Sequence, residues 1–289
     1  MIGCDDTMEF SKQPEYISSI KSVVIPPRLQ DNLRLGIDAI DDLFGDGITP
    51  GTVTLLTGLP GKGKSTLAYM LADAATGEAM KGNRLRGAFV VFNGLEQNHI
   101  EMAKRWKQMG LPHGFAVCSY SSVDSLIERA TKEIRENCGP VSRDGFPAHE
   151  AVVFVDSLRY LTIPRPKGQR GRTLSAQNMA IAAMEKLVTW AKDNFVTLFV
   201  IGHVTKNGKF AGKQELMHMV DCHLHLTEDS DKESLTFKKP VAVLLKNRIG
   251  PTGQNREYSL SKTGIEFLDS LDMVPEDEDS DNGYSENEG

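Results

Sequence analysis

Short apolar runs alternate with longer amphipathic stretches from Leu35 to Leu268. Val53–Leu56, Ala88–Phe92, Ala151–Val155 and Val196–Ile201 are brief and largely apolar, the pattern of strands covered on both faces. Phe115–Cys118 reads as a weaker strand of the same kind. Between these runs apolar residues recur at helical spacing. One helix leaves through Leu67–Ala72; another, from about Asn98 to Met109, carries Ile100, Met102, Ala103 and Trp106. Ser122–Asn137 and Ala176–Asn194 predict two more helices, and Gly36–Phe44 a short one stopped by Gly45 and Gly47. Residues 138–149 form a loop. After residue 220 the pattern turns to strands, at Cys222–Leu226, Val241–Leu245, Glu257–Leu260 and Gly264–Leu268. Strands alternating with helices predict an α/β fold, a mostly parallel sheet with helices on both faces, its late strands extending one edge antiparallel.

The ends differ from this body. Residues 1–34 are mixed and interrupted by Pro14, Pro26 and Pro27, so they read as an arm or linker, able to lie on a neighbouring subunit. Residues 35–271 make the folded core. From Asp272 to Gly289 there are eight acidic residues and no Lys or Arg, a composition too poor in apolar groups to fold. The net charge of −6 therefore belongs to the tail, since the remaining body carries 33 basic and 31 acidic residues. Such a tail serves solubility, competes for a basic surface until a polyanion displaces it, or binds a replication or recombination protein. No apolar run approaches the ~20 residues of a membrane span. Asp5, Asp6 and Glu9 are unlike a signal peptide, and Cys4, Cys118, Cys138 and Cys222 form no C-x-x-C pair. A reducing, cytoplasmic setting is expected, with neither a zinc site nor a disulfide framework.

The strand at Val53 and the helix at Leu67 flank the segment Gly58-Leu59-Pro60-Gly61-Lys62-Gly63-Lys64-Ser65, followed by Thr66. This fits G-x-x-x-x-G-K-[ST], a loop whose backbone N–H groups surround a nucleotide's phosphates, with strand before and helix after as the motif requires. Lys64 would reach the β- and γ-phosphates of ATP, and the Ser65 hydroxyl would bind Mg²⁺. Asp156, directly after the apolar run Ala151–Val155, is placed to order the metal's water shell. Glu96 lies just beyond the strand ending at Phe92, on the same C-terminal sheet edge, and is the candidate base for activating water. The strand ending at Ile201 runs into Gly202-His203-Val204-Thr205-Lys206, where His203 can sense the γ-phosphate.

Gly202–Lys206, Ala211-Gly212, Leu216–Asp221 and Lys246-Asn247-Arg248-Ile249-Gly250 closely resemble the ATPase core of the bacterial RadA/Sms proteins, RecA-fold, DnaB-like hexameric DNA motors of recombination. The resemblance runs from about Leu35 to Leu268 and includes Asp156-Ser157 and Gln177. It implies that His203 and Lys206 form a sensor segment, and that Lys246 and Arg248 are fingers completing a neighbour's ATP site. A head-to-tail ring, a hexamer by that likeness, or a filament follows from such fingers. Departures from the family are equally plain. This chain shows neither the amino-terminal four-cysteine zinc module nor the carboxy-terminal protease-like domain. Ile249 stands where Phe is usual, and Gly94-Leu95-Glu96 carries one acid where the family carries two. A compact, phage-encoded relative would fit this pattern, its location then the host cytoplasm.

Two basic segments point to single-stranded DNA. One holds Arg165, Lys167, Arg170 and Arg172; the other holds Lys206, Lys209, Phe210 and Lys213. Lys and Arg serve sequence-independent backbone contact, and Phe210 can stack on a base. His218, Asp221, Cys222, His223 and His225 crowd together like metal ligands, but His223 and His225 fall on one face of a strand and Cys222 on the other, which argues against a metal. The expectation is a DNA-dependent ATPase of recombination, repair or replication, a RadA-like motor or helicase on single-stranded DNA. A RecA-type strand-exchange filament and a KaiC-like regulatory ATPase without DNA stand as alternatives.

Overall fold

The computed structural model describes residues 19–23, 25, 29–81, 88–138, 150–164, 174–203, 213–230, 232 and 236–268. Most of the expected arm and all of the acidic tail lie outside the described residues. Six α-helices and nine strands are placed among those described: α1 (Asp38–Phe44), β1 (Val53–Gly58), α2 (Lys64–Lys81), β2 (Phe89–Gly94), α3 (His99–Met109), β3 (Ala116–Cys118), α4 (Val123–Asn137), β4 (Ala151–Asp156), α5 (Ala176–Asn194), β5 (Thr197–Ile201), α6 (Lys213–Met219), β6 (Cys222–Glu228), β7 (Pro240–Asn247), β8 (Asn255–Leu260) and β9 (Ile265–Phe267). The nine strands form one sheet in the order β3-β2-β4-β5-β1-β6-β7-β8-β9. No helix among the described residues is long and apolar enough to cross a membrane.

Period-two alternation divides the core. Leu56, Val152, Phe154 and Phe199 face α1, α2 and α3, whereas Val53, Val153, Val155 and Leu198 face α4, α5 and α6. On the first face Tyr69, Phe92, Phe154 and Phe199 stand in a row, ring centroids 4.8, 5.9 and 4.9 Å apart. This row crosses β2, β4 and β5, the strands that end beside the nucleotide loop. Helix α3 starts with a capping box. The Asn98 side chain accepts the Ile100 and Glu101 N–H groups, and Glu101 accepts the Asn98 N–H at 2.9 Å.

The late strands extend the edge antiparallel through β7, β8 and β9, as expected. The exception is β6, which runs parallel to β1, from Thr54 opposite Cys222 to Gly58 opposite Leu226. The reason is α6, a seven-residue helix that the apolar pattern does not predict. It lies between β5 and β6, so the chain crosses back before β6 and runs in the same direction as β1.

Asp41 ties the chain's approach to α1. Fully buried, it accepts the N–H groups of Leu35 at 2.7 Å and Gly36 at 3.1 Å. Burial pushes its pKa up to about 6, against those two donors and Arg34. A raised carboxyl pKa contributes stability that is present below the unfolded value, near 3.8, and lost as pH rises through about 6. The stability advantage of wild type over Asp41→Asn is therefore expected to shrink by about 1 kcal/mol between pH 5 and 7 in urea unfolding. A constant difference across that range would place the proton elsewhere.

Candidate active site

Four neighbouring strands, β2, β4, β5 and β1, deliver the candidate residues to one edge of the sheet. β1 ends at Gly58, where a Cβ would stand 2.6 Å from the Leu226 carbonyl oxygen, so only glycine lets the loop leave so close to β6. The loop then turns into α2 at Lys64. The Lys64 ammonium donates to the carbonyls of Gly58 at 2.8 Å and Leu59 at 3.1 Å, folded back on the loop. Burial holds its pKa below the ordinary lysine value, while Asp156 and Glu96 pull it back up. Both acids thus lie within electrostatic reach of the ammonium.

Asp156 closes β4 and is almost fully buried. Burial pushes its carboxyl above the ordinary carboxylate range, a hydrogen bond with the Ser65 side chain opposes this, and Glu96 adds to it. Its Oδ1 is buried without a hydrogen-bond partner among the described residues. A carboxylate oxygen in that state, beside a serine hydroxyl at a phosphate loop, fits a hydrated divalent cation.

Glu96 lies two residues beyond β2, and the Leu95 N–H donates to the Asp156 carbonyl at 2.7 Å. Its Oε1 is 2.8 Å from Ser157 Oγ and 2.7 Å from His203 Nε2, and those two atoms are 3.0 Å apart. An ionised carboxylate only accepts, so the hydroxyl and the Nε2–H both donate to Glu96. The peptide between Asp156 and Ser157 is cis. Strands β2, β4 and β5 thus bring two carboxylates, Glu96 and Asp156, and the His203 imidazole together beside the loop.

The AAA domain family profile matches residues 25–209, more than half of the chain. The chain belongs to the AAA domain family. Among curated relatives, the DNA repair protein RadA of Mycobacterium tuberculosis is 30% identical over 233 residues, covering 81% of this chain and 42% of that protein. The DNA repair protein RadA of Aquifex aeolicus is 24% identical over 263 residues, covering 88% and 52%. The chain therefore spans about half the length of the curated relatives it matches. Among solved structures, an isolated ATPase domain superposes with a TM-score of 0.63 at 15% identity, covering 84% of this chain and 93% of that one. A DnaB-like replicative helicase, solved for its interactions with primase, gives 0.63 at 15% identity, covering 83% and 62%. The family match, these relatives and the structural likeness together support a RadA/RecA-like ATPase core.

Beyond the residues that the AAA profile matches, Lys246 and Arg248 stand apart from the cluster. Lys246 pairs with His223, level with Leu55, near the sheet edge opposite the loop. Four residues of β7 separate it from Ala242, which is level with Gly58, a drop of roughly 13 Å. Its ammonium donates to the carbonyls of Met217 at 2.6 Å and Val220 at 2.7 Å, at the C-terminal end of α6. Arg248 reaches Asp221 at 3.1 Å and the His218 carbonyl at 3.4 Å. Asp221 also accepts the Val53 N–H at 2.9 Å and pairs with Lys192. His223 Nε2 and His225 Nδ1 both meet the Thr57 hydroxyl, at 2.6 and 2.7 Å. Of the basic segments, Arg165, Lys167, Arg170, Arg172, Lys206, Lys209 and Phe210 lie outside the described residues, and Lys213 enters only as backbone opening α6.

Two residues of the site escape the sequence patterns. Ser157 stands out there only as the neighbour of Asp156. Arg105 donates to the Thr66 hydroxyl at 2.5 Å and lies over the Tyr69 ring, 5.5 Å from its centroid. It borders a cavity of about 440 Å³ between α3 and the turn at Ser261-Lys262, opening beside Thr66. The signal is its position. Arg105 stands three residues after Met102 and four before Met109, a cation in the apolar stripe of α3.

Proposed function

We propose that this AAA domain hydrolyses ATP with Mg²⁺ in head-to-tail assemblies of its own copies, and that single-stranded DNA stimulates the reaction. The observation that carries the hydrolytic reading is the Glu96 carboxylate held by Ser157 and His203 beside the phosphate loop and Asp156. The loop N–H groups and Lys64 bind the phosphates, and Lys64 leaves its two carbonyls to do so. Ser65 and Asp156 would hold magnesium, which would supply positive charge to offset that of the phosphates. Glu96 accepts the proton of the attacking water. His203 is free to transfer its Nε2–H from Glu96 to the γ-phosphate, leaving Ser157 to keep the carboxylate aimed. Lys246 and Arg248, too far from their own loop, complete the loop of a neighbouring copy.

The DNA reading rests on the two basic segments, which continue from the adjacent strands β4 and β5, and on the likeness to DNA repair and helicase proteins. Its test is ATP hydrolysis with and without single-stranded DNA at low and moderate salt. Stimulation of about fivefold or more, fading as salt rises, is expected because basic loops bind backbone phosphates by releasing counterions. A rate indifferent to DNA at every salt concentration would remove DNA from the function and leave an ATPase regulated by other means.

A further inference from the structure

The tip of the nucleotide loop leans on the C-terminal hairpin β8–β9. Gly63 has φ +88°, and a Cβ there would stand 3.0 Å from Ile265 Cδ1 and 3.1 Å from Leu260 Cδ1. Beside this contact the Tyr258 hydroxyl donates to the Lys62 carbonyl at 2.9 Å. Tyr258 is 2% exposed, its ring 6.2 Å from that of Phe267. Burial pushes its pKa up to about 12, so the hydroxyl keeps the proton it donates. The Lys62 side chain is tied to the same region by its ion pair with Glu228 at the end of β6.

The Lys62 carbonyl and the Gly63 N–H belong to one peptide unit. A trans peptide directs these two groups to opposite sides. Holding the carbonyl outward against β8 therefore turns the Gly63 N–H into the loop, where phosphate-binding N–H groups must point. A flipped peptide would present a carbonyl lone pair to the phosphate instead.

We propose that Tyr258 is a positioning residue for phosphate binding, its hydroxyl holding the Lys62–Gly63 peptide in the orientation that offers the Gly63 N–H to a phosphate oxygen. This rests on the reading of the loop as a phosphate site. The C-terminal hairpin, almost two hundred residues away in sequence, then sets the affinity of the loop.

The experiment is calorimetric binding of MgATP, magnesium tripolyphosphate and adenosine to the full chain and to Tyr258→Phe, well below the melting temperature. The variant is expected to bind MgATP and tripolyphosphate about fivefold to tenfold more weakly, the worth of one neutral hydrogen bond, with adenosine unchanged. A merely structural hydroxyl would lower the melting temperature and leave tripolyphosphate affinity alone, and that result would overturn the proposal. Equal weakening for all three ligands would overturn it too. Wild type binding neither MgATP nor tripolyphosphate would defeat the phosphate site itself and this inference with it. If Tyr258→Phe does not fold, wild type labelled with ¹³Cζ-tyrosine decides. The Tyr258 resonance is expected to move on addition of tripolyphosphate, because an anion at the N–H polarises the carbonyl of the same peptide. A Tyr258 resonance that stays still overturns the proposal.

Discussion

Replacing Glu96 by Gln is expected to lower ATP turnover about a thousandfold, within the range for a positioned general base, while ATP binding stays within about twofold. Gln keeps the length of the side chain and still offers an oxygen to Ser157 and His203, so the cluster of 2.7 to 3.0 Å contacts can persist. What it removes is the capacity to take a proton from water. The alternative base in the neighbourhood is Asp156, whose buried carboxyl lies beside the Ser65 side chain, where the proposed magnesium would sit. Phosphate release and equilibrium nucleotide binding, measured on the same preparation, separate the two effects. Turnover that survives the substitution would mean that another group activates water.

Arg248→Ala is expected to reduce turnover by at least a hundredfold, in keeping with the loss of a finger arginine, and to leave nucleotide binding intact. The reason is geometric. Arg248 follows β7 at the sheet edge away from the loop, and its guanidinium is anchored by Asp221 and the His218 carbonyl. It has no path to the phosphates of its own chain. Mixing Arg248→Ala with Glu96→Gln chains should therefore restore part of the activity, because one variant carries an intact base and the other an intact arginine. No recovery on mixing would argue for action within one chain. Loss of nucleotide binding by Arg248→Ala alone would instead assign Arg248, through Asp221 and the Val53 N–H, to holding the fold.

Features written in local patterns are legible in the sequence alone. The phosphate loop declares itself by glycine and lysine spacing, and Asp156 by the apolar run in front of it. Their strands are continuous apolar runs, legible as buried on both faces, and Val153 and Phe154 accordingly pack on opposite sides of the sheet. Residues whose meaning comes from a distant partner are not legible in that way. Tyr258 looks like one more core aromatic until the Lys62 carbonyl is placed beside it. Ser157 looks like a residue after a strand until Glu96 and His203 converge on it. Helix α6 is too short for its periodicity to stand out, and without it the direction of β6 is misread. Lys246 and Arg248 come from resemblance, because nothing in their own spacing says which chain they serve.

The separation of Glu96 from Arg248 along the sheet also has a counting consequence. If each copy carries a base at one edge and a finger at the other, an open row of copies always has one catalytic pocket without its arginine, and a lone chain has nothing but that pocket. Closing the row into a ring removes the deficient end. Specific activity would then climb with protein concentration as a collective property, dimers reaching half of the plateau and closed assemblies all of it, with the chemistry at each completed pocket unchanged.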